Sequence, residues 1–205
     1  MAKALITWGG WPGHEPDKVA TLFSGWLREA GMAVTVTDSL SCFDDVGAWR
    51  DLSLIVPVWT MAEITREPAG NAAAAVATGV GLAGCHGGMC DSFRNEVLWQ
   101  FMTGAQWVAH PGNDGVHSKV RITSDDPLVA GIDDFEVETE QYCLHVDPAV
   151  KVHAVCDFPV AMVRMRPMVR WQCRLCIPST GGRGGSTTTH LGIRQMSSTT
   201  APRPN

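Results

Sequence analysis

Apolar runs and amphipathic stretches alternate along the first half of the chain. Ala4–Thr7 (ALIT) is a short apolar run that predicts a first strand, and a Trp/Gly/Pro loop, Trp8 to Glu15, follows it. From Pro16 to Ala30 the period changes. Val19, Leu22, Phe23, Trp26 and Leu27 fall on one face at helical spacing, and Gly31 closes the helix. Val34–Thr37 and Leu52–Trp59 predict the second and third strands, the latter fed by a turn around Trp49. Thr65–Thr78 predicts a weakly patterned, alanine-rich helix, and Val80–Gly84 a fourth strand. This alternation of strand and helix predicts a parallel sheet covered by helices on both faces. After Phe101 the texture shifts to shorter strands at Gln106–Ala109, Lys119–Thr123, Phe135–Thr139 and Lys151–Asp157. Turns are expected at Pro111-Gly112-Asn113 and Asp125-Asp126-Pro127, and no internal repeat is present.

The segment Gly79–Arg94 carries the strongest local signal. Its apolar run stops abruptly at Cys85-His86-Gly87-Gly88, and a helix is expected to start with Asp91 or Ser92 as N-cap and with Phe93, Val97 and Phe101 on one face. A sharp strand-to-helix turn sets its side chains at the carboxyl edge of the sheet, where open α/β folds keep reactive groups. His14 and Glu15 follow the first strand and His86 follows the fourth, so a parallel sheet brings them to one edge.

Length and composition narrow the function classes. The chain has 205 residues, 45% of them hydrophobic, enough for an α/β domain with a sizeable core. Its net charge of −5 gives no footprint for nucleic acid. No apolar run is long enough for a bilayer and the N-terminus enters a strand without a signal peptide, so no membrane partner and a cytoplasmic location are expected. Seven cysteines without framework spacing are expected to be free thiols.

The tail breaks the pattern. From about Ala161 the sequence is dense in Arg, Met, Ser, Thr and Gly, with no convincing element. Codon choice is free, and back-translation with GC-rich codons, read one base earlier, can produce a peptide with a strand-like VPAVYS, a glycine-rich turn and a second strand VYYHS. A displaced reading frame is therefore expected, with 1–160 as one domain and 161–205 as an aberrant, poorly ordered tail. Cys173-Arg174-Leu175-Cys176 has zinc-knuckle spacing but no second pair follows it, and Gly181–Gly185 lacks the strand, Lys-Ser/Thr and helix of a phosphate loop.

Taken together, TWGGWPGHEP (Thr7–Pro16), VPVWTMAEIT (Val56–Thr65), GLAGCHGGMCDSFR (Gly81–Arg94), QFMTGAQWVAHPG (Gln100–Gly112) and DFEVETEQYCLHVDP (Asp134–Pro148) resemble the ThuA-like (trehalose utilisation) family, over roughly Ala4 to Pro159. The resemblance implies a flavodoxin-like three-layer α/β/α sandwich, similar to the class I glutamine amidotransferases. The C-terminal end is incomplete, because the family's Tyr-rich strand and Gly-His pair are missing as written. It further implies a role in bacterial use of trehalose or related disaccharides, through a sugar-processing isomerase or hydrolase without glutamine amidotransferase activity. The expected ligand is a sugar or keto-sugar derivative, and a homo-oligomer is compatible with the pattern.

On this reading His86 is the acid/base group, assisted by His14 and Glu15. Asp91 and Arg94 orient polar groups, and Trp11, Trp59 or Trp8 form an apolar wall for sugar C–H faces. The resemblance also singles out Trp107, His110, Glu140, Tyr142 and His145 as substrate contacts. Bland alternatives stand beside each. His14 and Glu15 suit a helix start, Arg94 suits a pairing with Asp91 or Glu96, and His110 suits a turn. Glu140 and His145 suit structural hydrogen bonds, and Trp26, Trp49 and Trp99 are assigned to packing. His14, His86, Glu140 and His145 have the ligand chemistry of zinc but no tight motif spacing, so no cofactor is assigned. Two rival functions remain: a non-enzymatic sugar-binding accessory domain, and a Cys85 thiol hydrolase, since Ala83–Gly87 also resembles the DJ-1/PfpI elbow, where a helix N-terminus would lower the thiol pKa.

Overall fold

In the computed structural model the described residues are 1–49, 51–157 and, as backbone strand, 172–177. The elements in chain order are β1 (Lys3–Gly10), α1 (Pro16–Glu29), β2 (Ala33–Thr37), α2 (Val46–Trp49), β3 (Leu54–Thr60), α3 (Arg66–Ala77), β4 (Gly81–Leu82), α4 (Gly87–Cys90), α5 (Val97–Thr103), β5 (Ala105–Ala109), β6 (Val116–Ile122), β7 (Phe135–Thr139), β8 (Cys143–Val146), β9 (Lys151–Asp157) and β10 (Gln172–Ile177). The chain divides into two units. Among the described residues one takes Met1–Trp107, His145–Lys151 and 176–177, and the other takes Val108–Leu144, 152–157 and 172–175.

The first unit is built on a parallel sheet of order β2-β1-β3-β4. Successive residues of a strand point to opposite faces, and β3 shows what this does. Ile55 joins Leu82, Phe43, Phe93, Trp99 and the alanines of α3 in one core. Its neighbour Val56 joins Ile6 and Ala20 in another, with Phe23 and Leu27 of α1 packed against it. Two cores back to back make three layers, and each fully buried aliphatic side chain contributes about 1.5–3 kcal/mol. Helix α1 starts at Pro16, whose fixed φ suits the first helical position, and buries Pro16, Ala20 and Ser24 at four-residue spacing. Gly31, at φ +82, carries the chain out of it, as expected from the sequence.

The helix after the elbow is corrected. It is two short helices: α4 begins at the elbow itself with His86 at its N-cap, and α5 is capped by Glu96, whose carboxylate accepts from Leu98 N–H. Neither Asp91 nor Ser92 is the N-cap. Phe93 is buried, but Val97 and Phe101 are 71% and 77% exposed. The break between the helices resets the periodicity, so Phe93 and Trp99 reach the core instead, with ring centroids 4.6 Å apart.

In the second unit β6 pairs antiparallel with β7 and β9, in a sheet of order β10-β9-β6-β7. Strand β10 lies in the segment where no element was expected, held by backbone pairing that side-chain pattern does not advertise. The rest of the tail expectation falls outside the described residues. No helix among the described residues is long and apolar enough to cross a membrane.

Candidate functional site

The carboxyl ends of β1 and β3 lie side by side, with Gly10 opposite Thr60. These two strands flank the point where the sheet order reverses, the position at which open α/β sheets form a crevice. The approach is close. A Cβ on Gly10 would stand 2.0 Å from the Thr60 carbonyl oxygen, and its φ of +83° belongs to glycine. Trp11 N–H then donates to that carbonyl at 3.1 Å. A single 3-10 turn, Pro12–His14, folds the loop back and ends at Glu15, which takes a left-handed φ of 46° before α1 begins. This turn presents His14 to the end of β3, where its Nδ1 lies 3.0 Å from Thr60 Oγ1.

The second histidine arrives from β4. His86 adopts φ 52°, ψ −139°, a conformation strained for any residue with a Cβ. The turn fits because glycines follow. A Cβ on Gly87 would meet Thr60 Oγ1 at 2.5 Å, and one on Gly88 would meet the Pro57 carbonyl oxygen at 2.5 Å. The elbow is thus seated on the last residues of β3. His86 is exposed and His14 partly so. Their rings meet edge to face, with centroids 4.7 Å apart and planes at 84°. Trp11, 51% exposed, also meets His14 edge to face, with ring centroids 4.7 Å apart. Imidazoles are the side chains suited to exchanging protons near neutrality, and a half-exposed indole offers an apolar face beside them.

The other sequence-predicted residues distribute as follows. Glu15 turns its carboxylate to Lys18, one helical turn on, and that contact raises the lysine pKa. Asp91 is buried and pairs with Arg94 at 3.4 Å, and the Arg94 guanidinium lies 5.2 Å over the Trp107 ring. Trp59 is partly buried. Its ring covers Gly9, where a Cβ would sit 2.5 Å away, and its Nε1 donates to Thr7 Oγ1 at 2.9 Å. His110, Glu140 and Tyr142 belong to the second unit, and the His110 carbonyl accepts from Asn113 N–H in a turn. His145 is exposed on β8, in the first unit. The structure therefore brings together His14, His86 and Trp11, and adds Thr60, which no motif marked. It also shows Gln141, buried, donating to the Pro111 carbonyl at 2.6 Å, a role that its neighbours Glu140 and Tyr142 had masked in the sequence.

The trehalose utilisation (ThuA) family model matches residues 3–198. The chain belongs to the ThuA family. The match runs past Pro159, where the quoted resemblance ends. No curated protein matches the chain. Among solved structures, the ThuA chain is similar to a ThuA-like protein from Bacteroides uniformis ATCC 8492, at 15% identity and TM-score 0.64, over 75% of this chain and 67% of that one. A β-galactosidase from Rahnella sp. R3 aligns at 15% identity and TM-score 0.53, over 76% of this chain. A second, Gan42B of the GH42 β-galactosidases, aligns at 13% and 0.52, over 80%. This chain spans 25% of each of those enzymes, and the likeness is one of fold.

Within the ThuA elbow, Cys85 is not the residue at the strained position; His86 is. Cys85 is closely surrounded though not wholly shielded, and this desolvation pushes its thiol up to about 11. The lowered thiol pKa expected of a hydrolase elbow is not found. Among the described residues, no three His, Cys, Asp or Glu side chains assemble as a metal's ligands.

Proposed function

We propose that this ThuA protein transforms a sugar or keto-sugar derivative of disaccharide metabolism by acid/base chemistry at the His14–His86 pair. The observation that carries the proposal is the edge-to-face contact of two imidazoles from different strands at the sheet's switch point. One ring is exposed at a strained elbow and the other is held by Thr60. A sugar hydroxyl or the carbon beside a keto group needs a proton acceptor and a donor within reach of each other, and positioned groups of this kind contribute typically 10²–10⁴-fold. Glu15 is given no step in this proposal; its carboxylate pairs with Lys18 at the surface. The test is turnover of keto-disaccharides by the full chain. Wild type should turn over, and His86→Gln should lose about two to four orders of magnitude in rate.

The half-exposed Trp11 beside His14 supports a second reading, a sugar-binding accessory domain. Binding without turnover, unchanged in His86→Gln, would establish that reading and exclude the enzymatic one.

A further inference from the structure

We infer that Thr60 is a positioning residue that fixes the tautomer of His14, holding its neutral imidazole as the Nε2–H form. Thr60 is the last residue of β3 and only 6% exposed. Its backbone carbonyl is taken by Trp11 N–H. Its side chain lies against Gly87, close enough that a Cβ there would reach Oγ1 at 2.5 Å and Cγ2 at 2.8 Å. The hydroxyl therefore sits between two segments, the Pro12–His14 turn and the His86 elbow, and it meets His14 Nδ1 at 3.0 Å.

A hydroxyl carries one proton, and a buried one needs an acceptor for it. The Nδ1 lone pair of His14 is the acceptor within reach. With Oγ1–H donating to Nδ1, the imidazole proton resides on Nε2, and the ring is held at both its position and its tautomer. Once His14 is protonated, Nδ1 carries its own proton and the hydroxyl loses that acceptor, so Thr60 supports the neutral ring in particular. For catalysis the tautomer matters only under the acid/base reading above, whereas the tautomer itself can be read without any substrate.

The experiment is long-range 1H–15N correlation on the full-length 15N-labelled protein, above the pH at which the imidazole titrates. His14 resonances are assigned by their loss in His14→Gln. Wild type is expected to show one tautomer, with Nε2 protonated and Nδ1 an unprotonated, hydrogen-bonded nitrogen. Thr60→Ser keeps the hydroxyl and should keep that pattern. Thr60→Val keeps the shape but not the donor, and should move the tautomer ratio about fivefold toward Nδ1–H, the worth of one hydrogen bond. A wild-type His14 in the Nδ1–H form or in an even mixture overturns the inference, as does a Thr60→Val spectrum identical to wild type. If Thr60→Val does not fold, Thr60→Ala, which also lacks the donor, takes its place, and a tautomer ratio unchanged in it overturns the inference. Should the keto-disaccharide assay fail while these spectra agree, the proposed reaction falls and the assignment of Thr60 stands.

Discussion

The thiol of Cys85 offers the sharpest check on how the elbow works. Burial raises it to about 11 from an ordinary 9.0, so near neutral pH its thiolate fraction is about a hundredfold below that of an unperturbed cysteine. A more basic thiolate is the better nucleophile, and with a Brønsted slope of about 0.4–0.5 the gain recovers roughly tenfold of that loss. The net expectation is reaction with a disulfide reagent about tenfold slower than for the same cysteine in the unfolded chain, before any steric hindrance is counted. Timed labelling with Ellman's reagent, followed by peptide mapping at Cys85 in native and urea-unfolded protein at one pH, measures this ratio. A native Cys85 that labels as fast as, or faster than, the unfolded one refutes the reasoning and restores the thiol hydrolase. The same displacement has a stability consequence with a fixed sign. Between pH 9.0 and about 11 the unfolded chain releases the proton and the folded one keeps it, so stability falls as pH rises through that window. The loss from this group is at most about 2–3 kcal/mol.

Three other outcomes are expected. Gly88→Ala forces a Cβ to 2.5 Å from the Pro57 carbonyl oxygen and 3.2 Å from Val58 Cα. Because those are backbone atoms, a loss of about 1–3 kcal/mol or more should appear as a lower urea midpoint, and an unchanged midpoint would show that the elbow is not seated on β3. Phe93→Ala should cost about 3–5 kcal/mol, whereas Phe101→Ser, on the exposed face of α5, should stay within about 0.5 kcal/mol; equal losses would contradict the two-helix break. Resequencing the gene should reveal a one-base insertion or deletion near the codons for Val160–Met162, and an uninterrupted frame there removes the displaced-frame expectation.

Much of the first unit was legible because parallel strands announce themselves as apolar runs and because their carboxyl ends share an edge. That logic alone put His14 and His86 together, and the rings do meet. Thr60 was invisible for the converse reason. It ends an apolar strand as one more β-former, and its role depends on a loop folding back across it, which no local pattern encodes. The expected face of α5 does not form, because Phe93, Val97 and Phe101 keep helical spacing across a segment where the helix is interrupted. The pairing of Glu15 with Lys18 follows from their three-residue spacing at a helix start, a local signal that the adjacent His14 outweighs when the segment is read as a site. Strand β8 is four residues long, too short for its alternation to stand out.

The backbone at residue 86 sits where glycine would rest at ease and a branched carbon does not, at φ 52°, ψ −139°. Such a conformer costs roughly 1–3 kcal/mol, and the sequence already places glycines at the next two positions. Imidazole at this spot is therefore a standing thermodynamic burden on the molecule. His86→Gly should yield a sturdier protein, with the free energy now held in that bend given back to folding.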